Sequence, residues 1–339
     1  MPPLSTQQAI PVTTAAVVWH FAEIFRSHGA PIAQLLENAG IQPENLDIPD
    51  AVVPLNHAYR FAEAACISLQ SEHLGLSVGL ASSLENFGGY GHLLQTAPTF
   101  GKYLEQGVAL YHTLNTGEHF WLSEHGLDIR LNIASPGDVG LGMYQSHLST
   151  IAVTIAICRQ AIGLAWSPDE IGLAYRSRER IPPLDLFAGS RIVSGLTHSY
   201  ISFPRTAMYL RLPQSADTNN TEVGVVKPLP TTIVGLVELQ ISALIGDGRR
   251  FDIDAVAESL AISRRSLQRA IAGEGFTYLQ VLNDIRFRQA ISWLDFSDRS
   301  VTEISLALGY TDPSNFARAF RRHTGLSPRA LRDAKLHRL

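Results

Sequence analysis

The sequence contains very little cysteine. Its 339 residues include only Cys66 and Cys158, which lie 92 positions apart and form no CxxC pair. Two isolated thiols exclude a disulfide framework, and they favour a reducing compartment such as the cytoplasm. Both occur in apolar helical contexts, so we expect them to be small core residues. The composition, 45% hydrophobic and 17% charged, is that of an ordinary globular protein.

Long apolar runs are also lacking. No stretch approaches the roughly 20 apolar residues that a membrane-spanning helix needs. The first residues, MPPLSTQQAIPVTT, lack the charged start and the apolar run of a secretion signal. We therefore expect no membrane partner. A chain of this length has room for two domains, each with its own core.

The common catalytic and metal-binding motifs are missing as well. The glycine-rich segment Gly88-Gly89-Tyr90-Gly91 follows no clear strand and lacks the P-loop lysine, so a tight turn and close helix packing are favoured over nucleotide binding. No Gly-x-Ser-x-Gly nucleophile elbow is found. His112, His119 and His125 are near one another, but their spacing matches no zinc site. We expect no enzymatic activity, no metal and no cofactor.

The last ninety residues, by contrast, contain one supersecondary unit twice. In the second copy, Ser300 and Glu303 form a capping box at the start of a helix. Gly309 ends that helix, because glycine adopts positive φ at little cost. Asp312 is the next N-cap and Pro313 the first helical residue, where a missing N–H is not needed. The pattern predicts a helix-turn-helix.

The first copy follows the same pattern. Asp252 or Asp254 opens its first helix, and Ser263 caps its second helix. The second helix is predicted to bury Leu267 and Ile271. A longer helix, about residues 278–294, runs between the copies. If both second helices enter the major groove on one face of B-DNA, they must lie about 34 Å apart.

The exposed faces of the two second helices carry basic and amide side chains. In the second copy Phe316 and Phe320 are four residues apart and point inward, which leaves the other faces exposed. Arginine pairs with guanine, and glutamine or asparagine with adenine, in the major groove. The predicted DNA-binding residues are Arg264, Arg265, Gln268, Arg269, Ser314, Asn315, Arg318, Arg321 and Arg322.

Charge is divided unevenly along the chain. Residues 249–339 carry 15 basic and 10 acidic side chains, a net charge of +5, and only Lys335 among the basic ones is lysine. The rest of the chain carries 12 basic and 21 acidic side chains, a net charge of −9. Taken alone, an arginine on a helix surface is usually just a solvated charge and does not indicate DNA binding. However, a basic segment joined to an acidic one indicates a DNA-binding domain attached to a domain that does not touch DNA.

The closing pattern ARAFRRHTGLSPRALR, residues 317–332, resembles the C-terminal DNA-binding domain of the AraC/XylS family of bacterial transcription regulators. The similarity covers about residues 234–332. The resemblance implies a transcription regulator that binds operator DNA and RNA polymerase, and we expect it to be an activator. By this resemblance, Arg265, Gln268 and Arg269 match base- or backbone-contacting positions, as do Ser314, Asn315 and Arg318 in the second copy. Pro313 departs from the family pattern, in which several relatives carry a polar side chain. Arg321, Arg322 and Arg329 suit phosphate contacts.

The N-terminal part combines helices and strands. Helical patterns up to residue 114 are followed by a β-hairpin at residues 119–133, a long apolar helix at about 141–164, and strands at 170–175 and 199–203. Residues 213–230 are rich in proline, asparagine and threonine and predict a linker. The expected fold is therefore an α+β N-terminal sensor domain, residues 1–212, followed by an all-α DNA-binding domain with two helix-turn-helix motifs, residues 231–339.

The segments GYGHLL, APTFGKYL and SYISFPR resemble the N-terminal domain of one branch of the same family. That branch includes regulators of ornithine and arginine utilisation and some quorum-sensing and virulence regulators. The small β-barrel sensor of the arabinose regulator is not expected, because its run of short strands is missing. The resemblance implies an effector pocket, for a small molecule such as an amino acid, and homodimer contacts. The candidate effector-binding residues are Tyr90, His92, Trp121, Arg130, Tyr144 and His147.

Two alternatives remain open at this point. The N-terminal domain of a ligand-independent regulator would serve only for dimerisation. A DNA-repair enzyme fused to the same DNA-binding module would need an activated cysteine, and two isolated thiols in apolar helices argue against that chemistry.

Overall fold

The structure, a computed structural model, describes residues 10–48, 51–137, 140–213 and 227–336. The chain divides into an N-terminal unit, residues 10–229, and a C-terminal unit that begins at Pro230. The N-terminal unit combines helices with strands, and the described part of the C-terminal unit is helical. This confirms the predicted fold class. Most of the predicted linker, residues 214–226, lies outside the described residues.

Six helices form the first half of the N-terminal unit. The glycines in the sequence predict that the first helix ends at Gly29 and the second at Gly40, and both ends are confirmed within two residues. The sequence pattern did not reveal α4, because this helix is apolar on every side and so lacks the periodicity of a surface helix. The helices are α1 Ala15–Ser27, α2 Ile32–Ala39, α3 Leu55–Leu69, α4 Leu74–Ala81, α5 Gly88–Gln95 and α6 Phe100–Leu110.

The start of α1 differs from the prediction. The sequence suggests that Thr13 and Thr14 cap the helix, but neither side chain does so. Both residues belong to strand β1, Val12–Thr14, which pairs antiparallel with β2, Val52–Pro54. The predicted inward face of the helix is shifted too, since Val17 is only half-buried while Val18 is buried.

A five-stranded sheet forms the second half of the N-terminal unit. The strand order is β3-β4-β7-β5-β6, and every pairing is antiparallel except that of β5 with β6. The predicted hairpin and the two later strands are confirmed, whereas β6 was not predicted because it is a short, mostly exposed edge strand. The strands are β3 His119–His125, β4 Asp128–Ala134, β5 Glu170–Leu173, β6 Arg191–Ser194 and β7 Ser199–Pro204.

The long helix α7, Leu141–Ile162, is the centre of the N-terminal core. Its Leu148, Ile151 and Ile155 are fully buried in one cluster with Ile133 of β4 and Ile201 of β7. Within the described residues, α7 is the one helix long and apolar enough to cross a membrane by length and composition, and most of it is buried inside the unit. It is thus the expected long apolar helix and packs as a core element, but the expectation that no apolar stretch approaches the length of a membrane span was wrong.

The glycine-rich segment permits a close approach, as predicted. Gly91 of α5 lies so near the backbone of Leu84 that a Cβ atom would come within 1.6 Å of the Leu84 carbonyl oxygen. Gly88 adopts a φ of +55° at the start of the same helix. The two glycines therefore set the turn and the packing of α5.

The C-terminal unit consists of seven helices in its described part. Two of them, the first and the last, did not emerge from the sequence pattern. The first, α8, is mostly apolar and buries eight of its residues, which weakens the helical period. The seven helices are α8 Ile233–Gly246, α9 Ile253–Ser259, α10 Arg264–Gly273, α11 Tyr278–Phe296, α12 Val301–Ala307, α13 Pro313–Thr324 and α14 Pro328–Leu336.

Candidate functional site

The first helix-turn-helix is formed by α9 and α10. The Asp252 carboxylate caps α9 by accepting the backbone N–H groups of Asp254 and Ala255, at 3.1 and 3.0 Å. The hydrogen bond from Ala255 is the main reason that the pKa of Asp252 lies below its usual value. Ser263 caps α10 by accepting the backbone N–H of Ser266 at 3.1 Å. Both predicted helix starts are confirmed, with Asp252 rather than Asp254 as the cap.

The second helix-turn-helix, α12 and α13, has the predicted caps. The Ser300 N–H donates to Glu303 Oε2 at 2.6 Å, and the Glu303 N–H donates to Ser300 Oγ at 3.1 Å. Asp312 accepts the backbone N–H of Ser314 at 2.7 Å, and Pro313 is the first residue of α13. Gly309, with a φ of +76°, lies at the turn between the helices.

The two second helices, α10 and α13, separate apolar from polar faces. Leu267 and Ile271 of α10 are fully buried, as are Phe316 and Phe320 of α13. The opposite faces are in solvent, and these faces together are called the reading surface below. All nine of the predicted DNA-binding residues are exposed on it: Arg264, Arg265, Gln268, Arg269, Ser314, Asn315, Arg318, Arg321 and Arg322.

Two arginines of the reading surface have partners within the chain. Arg264 forms an ion pair with Asp254 at 3.1 Å, which ties α10 to α9. Arg318 Nη2 donates to Asn315 Oδ1 at 2.6 Å along α13. Apart from Arg264, no arginine of this surface forms an ion pair among the described residues. Arg265, Arg269, Arg321 and Arg322 are therefore the arginines most available to phosphate and bases.

The two helix-turn-helix units contact each other through α11. The Arg286 guanidinium of α11 lies over the rings of Tyr310 and Phe251, with its carbon 4.8 and 5.6 Å from the ring centres. Phe251 precedes α9, and Tyr310 belongs to the turn before α13. Tyr278 Oη, at the start of α11, donates to the Phe251 carbonyl at 2.6 Å. Burial lowers the pKa of Arg286 from its usual value.

Sequence reasoning missed the function of Arg286, although a signal was present. The apolar pattern of the helix at about residues 278–294 predicts that Leu282 and Ala290 are buried. Arg286 lies four residues from each, on the same helical face. An arginine on a buried face needs a partner such as an aromatic ring. Gly309 completes the contact, since a Cβ atom there would approach Phe251 Cζ to 2.8 Å.

A second candidate site is an internal cavity of the N-terminal unit, called the sensor cavity below. It lies among α1, α3, α5, α6, α7 and the strands β3 and β4, and it encloses about 1080 Å³, the space at its mouth included. Its aromatic lining residues are Phe21, Tyr59, Phe61, Phe87, Tyr90, Tyr103, Tyr111 and Phe120.

A buried carboxylate lies behind one wall of the sensor cavity. Tyr59 Oη and Tyr111 Oη donate to the two Glu118 oxygens at 2.7 and 2.6 Å. The backbone N–H of Glu118 donates to Asn115 Oδ1 at 3.1 Å. Burial and the charge of Glu118 raise the pKa of both tyrosines well above the usual value, so both phenols stay neutral. Neither Glu118 nor this arrangement was anticipated from the sequence.

Only one of the six sequence-predicted effector residues lines the sensor cavity. That residue is Tyr90, whose hydroxyl donates to the Gly107 carbonyl at 3.2 Å. Trp121 is partly exposed and contacts the His198 ring at 5.1 Å. Arg130 is not among the lining residues, and its Nη2 pairs with Glu170 at 2.9 Å.

The other three predicted effector residues also lie away from the lining. Tyr144 is fully buried and shares a hydrogen bond of 3.2 Å with His73. His147 is fully buried between Ser199 and Ser135, at 2.9 and 3.2 Å. His92 lies on α5 but is not among the lining residues. Which way each side chain points depends on its position in the alternation of a strand or on the face of a helix, and nearness in the sequence does not predict it.

The two thiols are buried, as predicted. Burial raises the pKa of Cys66 and of Cys158 to about 12, which opposes formation of a reactive thiolate. Across the described part of the chain, no group of three or more histidine, cysteine, aspartate and glutamate side chains is arranged to hold a metal ion.

Two family models match the chain. The arabinose-binding domain of AraC transcription regulators (N-terminal) matches residues 29–212, more than half of the sequence. A helix-turn-helix domain matches residues 256–334 and so contains both α10 and α13. Together the two matches contain the whole reading surface and the sensor cavity except for the lining residues Thr13, Val17, Val18 and Phe21.

Individual relatives are similar over nearly the whole chain. The ornithine utilization regulator of Pseudomonas aeruginosa is 25% identical over 341 residues, which cover 97% of this chain and 98% of that protein. An HTH-type transcriptional regulator of Mycobacterium tuberculosis is 26% identical over 317 residues, 90% of this chain and 92% of its own. The crystal structure of the transcriptional regulator CdpR from Pseudomonas aeruginosa, 20% identical, covers 91% of this chain and 98% of its own with a TM-score of 0.37.

Proposed function

The chain belongs to the AraC family of transcription regulators, and we propose that it recognises one operator through α10 and α13 together. It is a transcriptional regulator with a DNA-binding helix-turn-helix domain. The observation that carries the proposal is the paired construction of the reading surface. Each second helix is capped at its N-terminus, anchored by two fully buried apolar side chains, and exposed on its basic face.

The proposed contacts divide into two kinds. Arg265, Gln268 and Arg269 of α10 would contact base edges or backbone in one segment of the major groove. Ser314, Asn315 and Arg318 of α13 would do so in the next segment. Arg321 and Arg322, nearer the end of α13, would neutralise phosphates and position the protein without specifying sequence. The ion pair with Asp254 favours a bracing function for Arg264 over base contact.

We further propose that the N-terminal unit binds a small effector and forms homodimer contacts, and that the protein activates transcription with RNA polymerase in the cytoplasm. An effector that prefers one arrangement of the chain shifts the population that binds the operator. The sensor cavity supports an effector over the ligand-independent alternative, in which this unit only dimerises. Similarity to the ornithine utilization regulator supports a catabolic operon, such as one for ornithine or arginine, while a quorum- or virulence-linked operon stays an alternative.

A DNA-repair activity is disfavoured. A methyl-accepting enzyme needs an activated thiolate, and both cysteines of this chain are buried with raised pKa values. A methyl-transfer assay on the purified protein tests this directly.

The proposed function is tested by genomic footprinting with the full-length protein. Sheared DNA of the source genome is captured on the protein, sequenced, and the strongest site is footprinted with and without candidate metabolites. We expect protection of two neighbouring major-groove segments about one helical turn apart. Capture of bulk DNA with no enriched site, or protection of a single segment, would refute recognition by the two helices together.

A further inference from the structure

The walls of the sensor cavity are notable for their lack of charge. Of the described residues that line it, none is lysine, arginine, aspartate or glutamate. Apolar and aromatic side chains dominate, and the polar lining consists of hydroxyl and amide groups such as those of Ser146, Thr150 and Asn115. A charged group brought into such a site would lose its hydration without gaining an ion pair.

The carboxylate of Glu118, behind this wall, makes the site unfavourable for anions in particular. Glu118 is 5% exposed, and no ion pair to it is formed among the described residues. Its charge is stabilised by the hydroxyls of Tyr59 and Tyr111. A ligand carboxylate near these tyrosines would meet a like charge across a short, poorly screened distance.

The tyrosine hydroxyls also determine which polar group suits the cavity. The O–H groups of Tyr59 and Tyr111 are used in donating to Glu118, and the O–H of Tyr90 is used in donating to the Gly107 carbonyl. A tyrosine oxygen whose proton is engaged still has lone pairs that accept. The Tyr59 oxygen already receives hydrogen bonds from the side chains of Ser135 and Asn115. The oxygens of Tyr111 and Tyr90 therefore match a ligand that donates, through a hydroxyl or an N–H group.

We infer that the sensor cavity binds an uncharged, mainly apolar small molecule with one hydrogen-bond-donating end. The inference rests on the proposed function, in which the N-terminal unit binds an effector, and it specifies the chemistry of that effector. It argues against a free amino acid such as ornithine as the occupant of this cavity, because no cation lines the wall to pair with the α-carboxylate.

The test compares an uncharged alcohol with a carboxylate of the same chain length and with a free amino acid. Binding of 1-octanol, octanoate and ornithine to the full-length protein is measured by isothermal titration and by thermal unfolding, since a ligand that binds only the folded state raises the unfolding temperature. We expect saturable binding of 1-octanol at least about tenfold tighter than that of octanoate, which corresponds to about 1.4 kcal/mol. Ornithine should not bind.

A cavity-filling variant locates the binding. A Cβ atom at Gly107 of α6 would be 3.4 Å from Tyr90 Oη and 4.0 Å from Leu94 Cδ2, so the first atom fits and a larger side chain occupies the cavity. Gly107→Leu should abolish 1-octanol binding. Gly246→Leu is the matched control, because a Cβ atom there meets nothing within 4 Å and the residue belongs to the C-terminal unit. If Gly107→Leu does not fold, Val153→Phe fills the same cavity from α7.

The charge argument has its own variant. Glu118→Gln removes the negative charge while keeping an acceptor for a tyrosine hydroxyl. We expect a higher affinity for octanoate and an affinity for 1-octanol that changes less than about threefold, a difference of less than about 0.7 kcal/mol. A purely structural contribution of Glu118 would alter both affinities alike.

The outcomes separate this inference from the proposed function. Octanoate or ornithine binding as tightly as 1-octanol, or 1-octanol binding that persists in a folded cavity-filling variant, overturns the inference. If the same protein preparation binds an operator, the proposed regulation of transcription stands despite that result. Absence of any operator would instead refute the proposed function and leave the ligand chemistry intact.

Discussion

The guanidinium carbon of Arg286 lies 4.8 Å from the centre of the Tyr310 ring. Because the same guanidinium also lies over Phe251, one side chain of α11 bridges the start of the first helix-turn-helix and the turn of the second. The separation of α10 and α13 therefore depends on a cation–π contact as well as on the stiffness of α11. Both reading helices must fit one duplex. A substitution of Arg286 should therefore affect operator binding, although Arg286 itself is not among the predicted DNA contacts.

We expect Arg286→Ala to lower the free energy of unfolding of the C-terminal unit by about 1–3 kcal/mol, because it removes two aromatic contacts and leaves a space beside Gly309. Urea denaturation followed by circular dichroism measures this change. Arg288→Ala is the control, since it removes an exposed ion pair with Glu238 from the same helix and should cost less than about 1 kcal/mol. Equal effects of the two substitutions would contradict the bridging function of Arg286.

Arg269→Ala and Arg318→Ala should each weaken specific operator binding by about 1–3 kcal/mol, because each removes a predicted contact with a base edge. Gel-shift titrations with the footprinted operator provide the affinities. Arg205→Ala removes one exposed arginine from the N-terminal unit, where it pairs with Glu124, and controls for the loss of one positive charge. Unchanged affinity in both Arg269→Ala and Arg318→Ala would remove these residues from the interface.

Operator affinity should fall steeply as salt rises, because cations of the reading surface displace counterions from phosphates. Neutralisation of Z phosphates gives a slope of roughly −0.9Z in a plot of log affinity against log salt concentration. Arg321→Ala and Arg322→Ala should each make the slope less negative by about 1 while keeping sequence preference. A flat plot for the wild-type protein would mean that phosphate contacts contribute little.

The N-terminal unit should lose stability as the pH falls below about 6.5, the ordinary pKa of histidine. Burial lowers the pKa of His147, although the charge of Glu118 partly opposes this shift. The unfolded chain then binds a proton more readily than the folded one, so protonation favours unfolding from pH 6.5 downward. Stability from this group is complete above that pH and decreases as the pH drops toward the folded-state pKa.

Thermal unfolding between pH 7.5 and 5.5 measures this dependence. His147→Gln should flatten the profile, whereas the exposed His125→Gln should leave it as in the wild type. Part of the dependence should persist in His147→Gln, because burial also lowers the pKa of His20 and His57. Profiles of equal steepness in wild type and His147→Gln would contradict the contribution of His147.

Many of the helices of the C-terminal unit can be predicted from the sequence, because the interactions that start and orient them are local. Capping boxes, a proline at the first helical position and apolar residues four apart act within one or two helical turns. Ser263, Ser300 and Asp312 therefore cap helices as predicted. Helices α4 and α8 were missed for the opposite reason, since a mostly apolar helix has too little polar face to reveal its period.

The sensor cavity shows where sequence reasoning ended. Of the two candidate effector residues Tyr90 and Arg130, Tyr90 lines the cavity, whereas Arg130 lies outside the lining and pairs with Glu170 across the sheet. The sequence did not predict that Glu118 is buried, because an acidic residue before a strand usually faces solvent. Its burial depends on Tyr59, which is 59 residues away in the chain.

The sequence by itself determined the kind of protein: local caps, the repeated helix-turn-helix and the uneven charge indicate a DNA-binding domain, and the closing motif ARAFRRHTGLSPRALR resembles that of AraC-type regulators. Only the tertiary structure decided how those helices are held together, through Arg286, and which side chains surround the sensor cavity. The physical reason is the range of the interactions. Capping and amphipathic periodicity act between neighbours in the chain, whereas a cavity and a cation–π bridge arise where distant segments pack, and their partners share no spacing that a sequence displays.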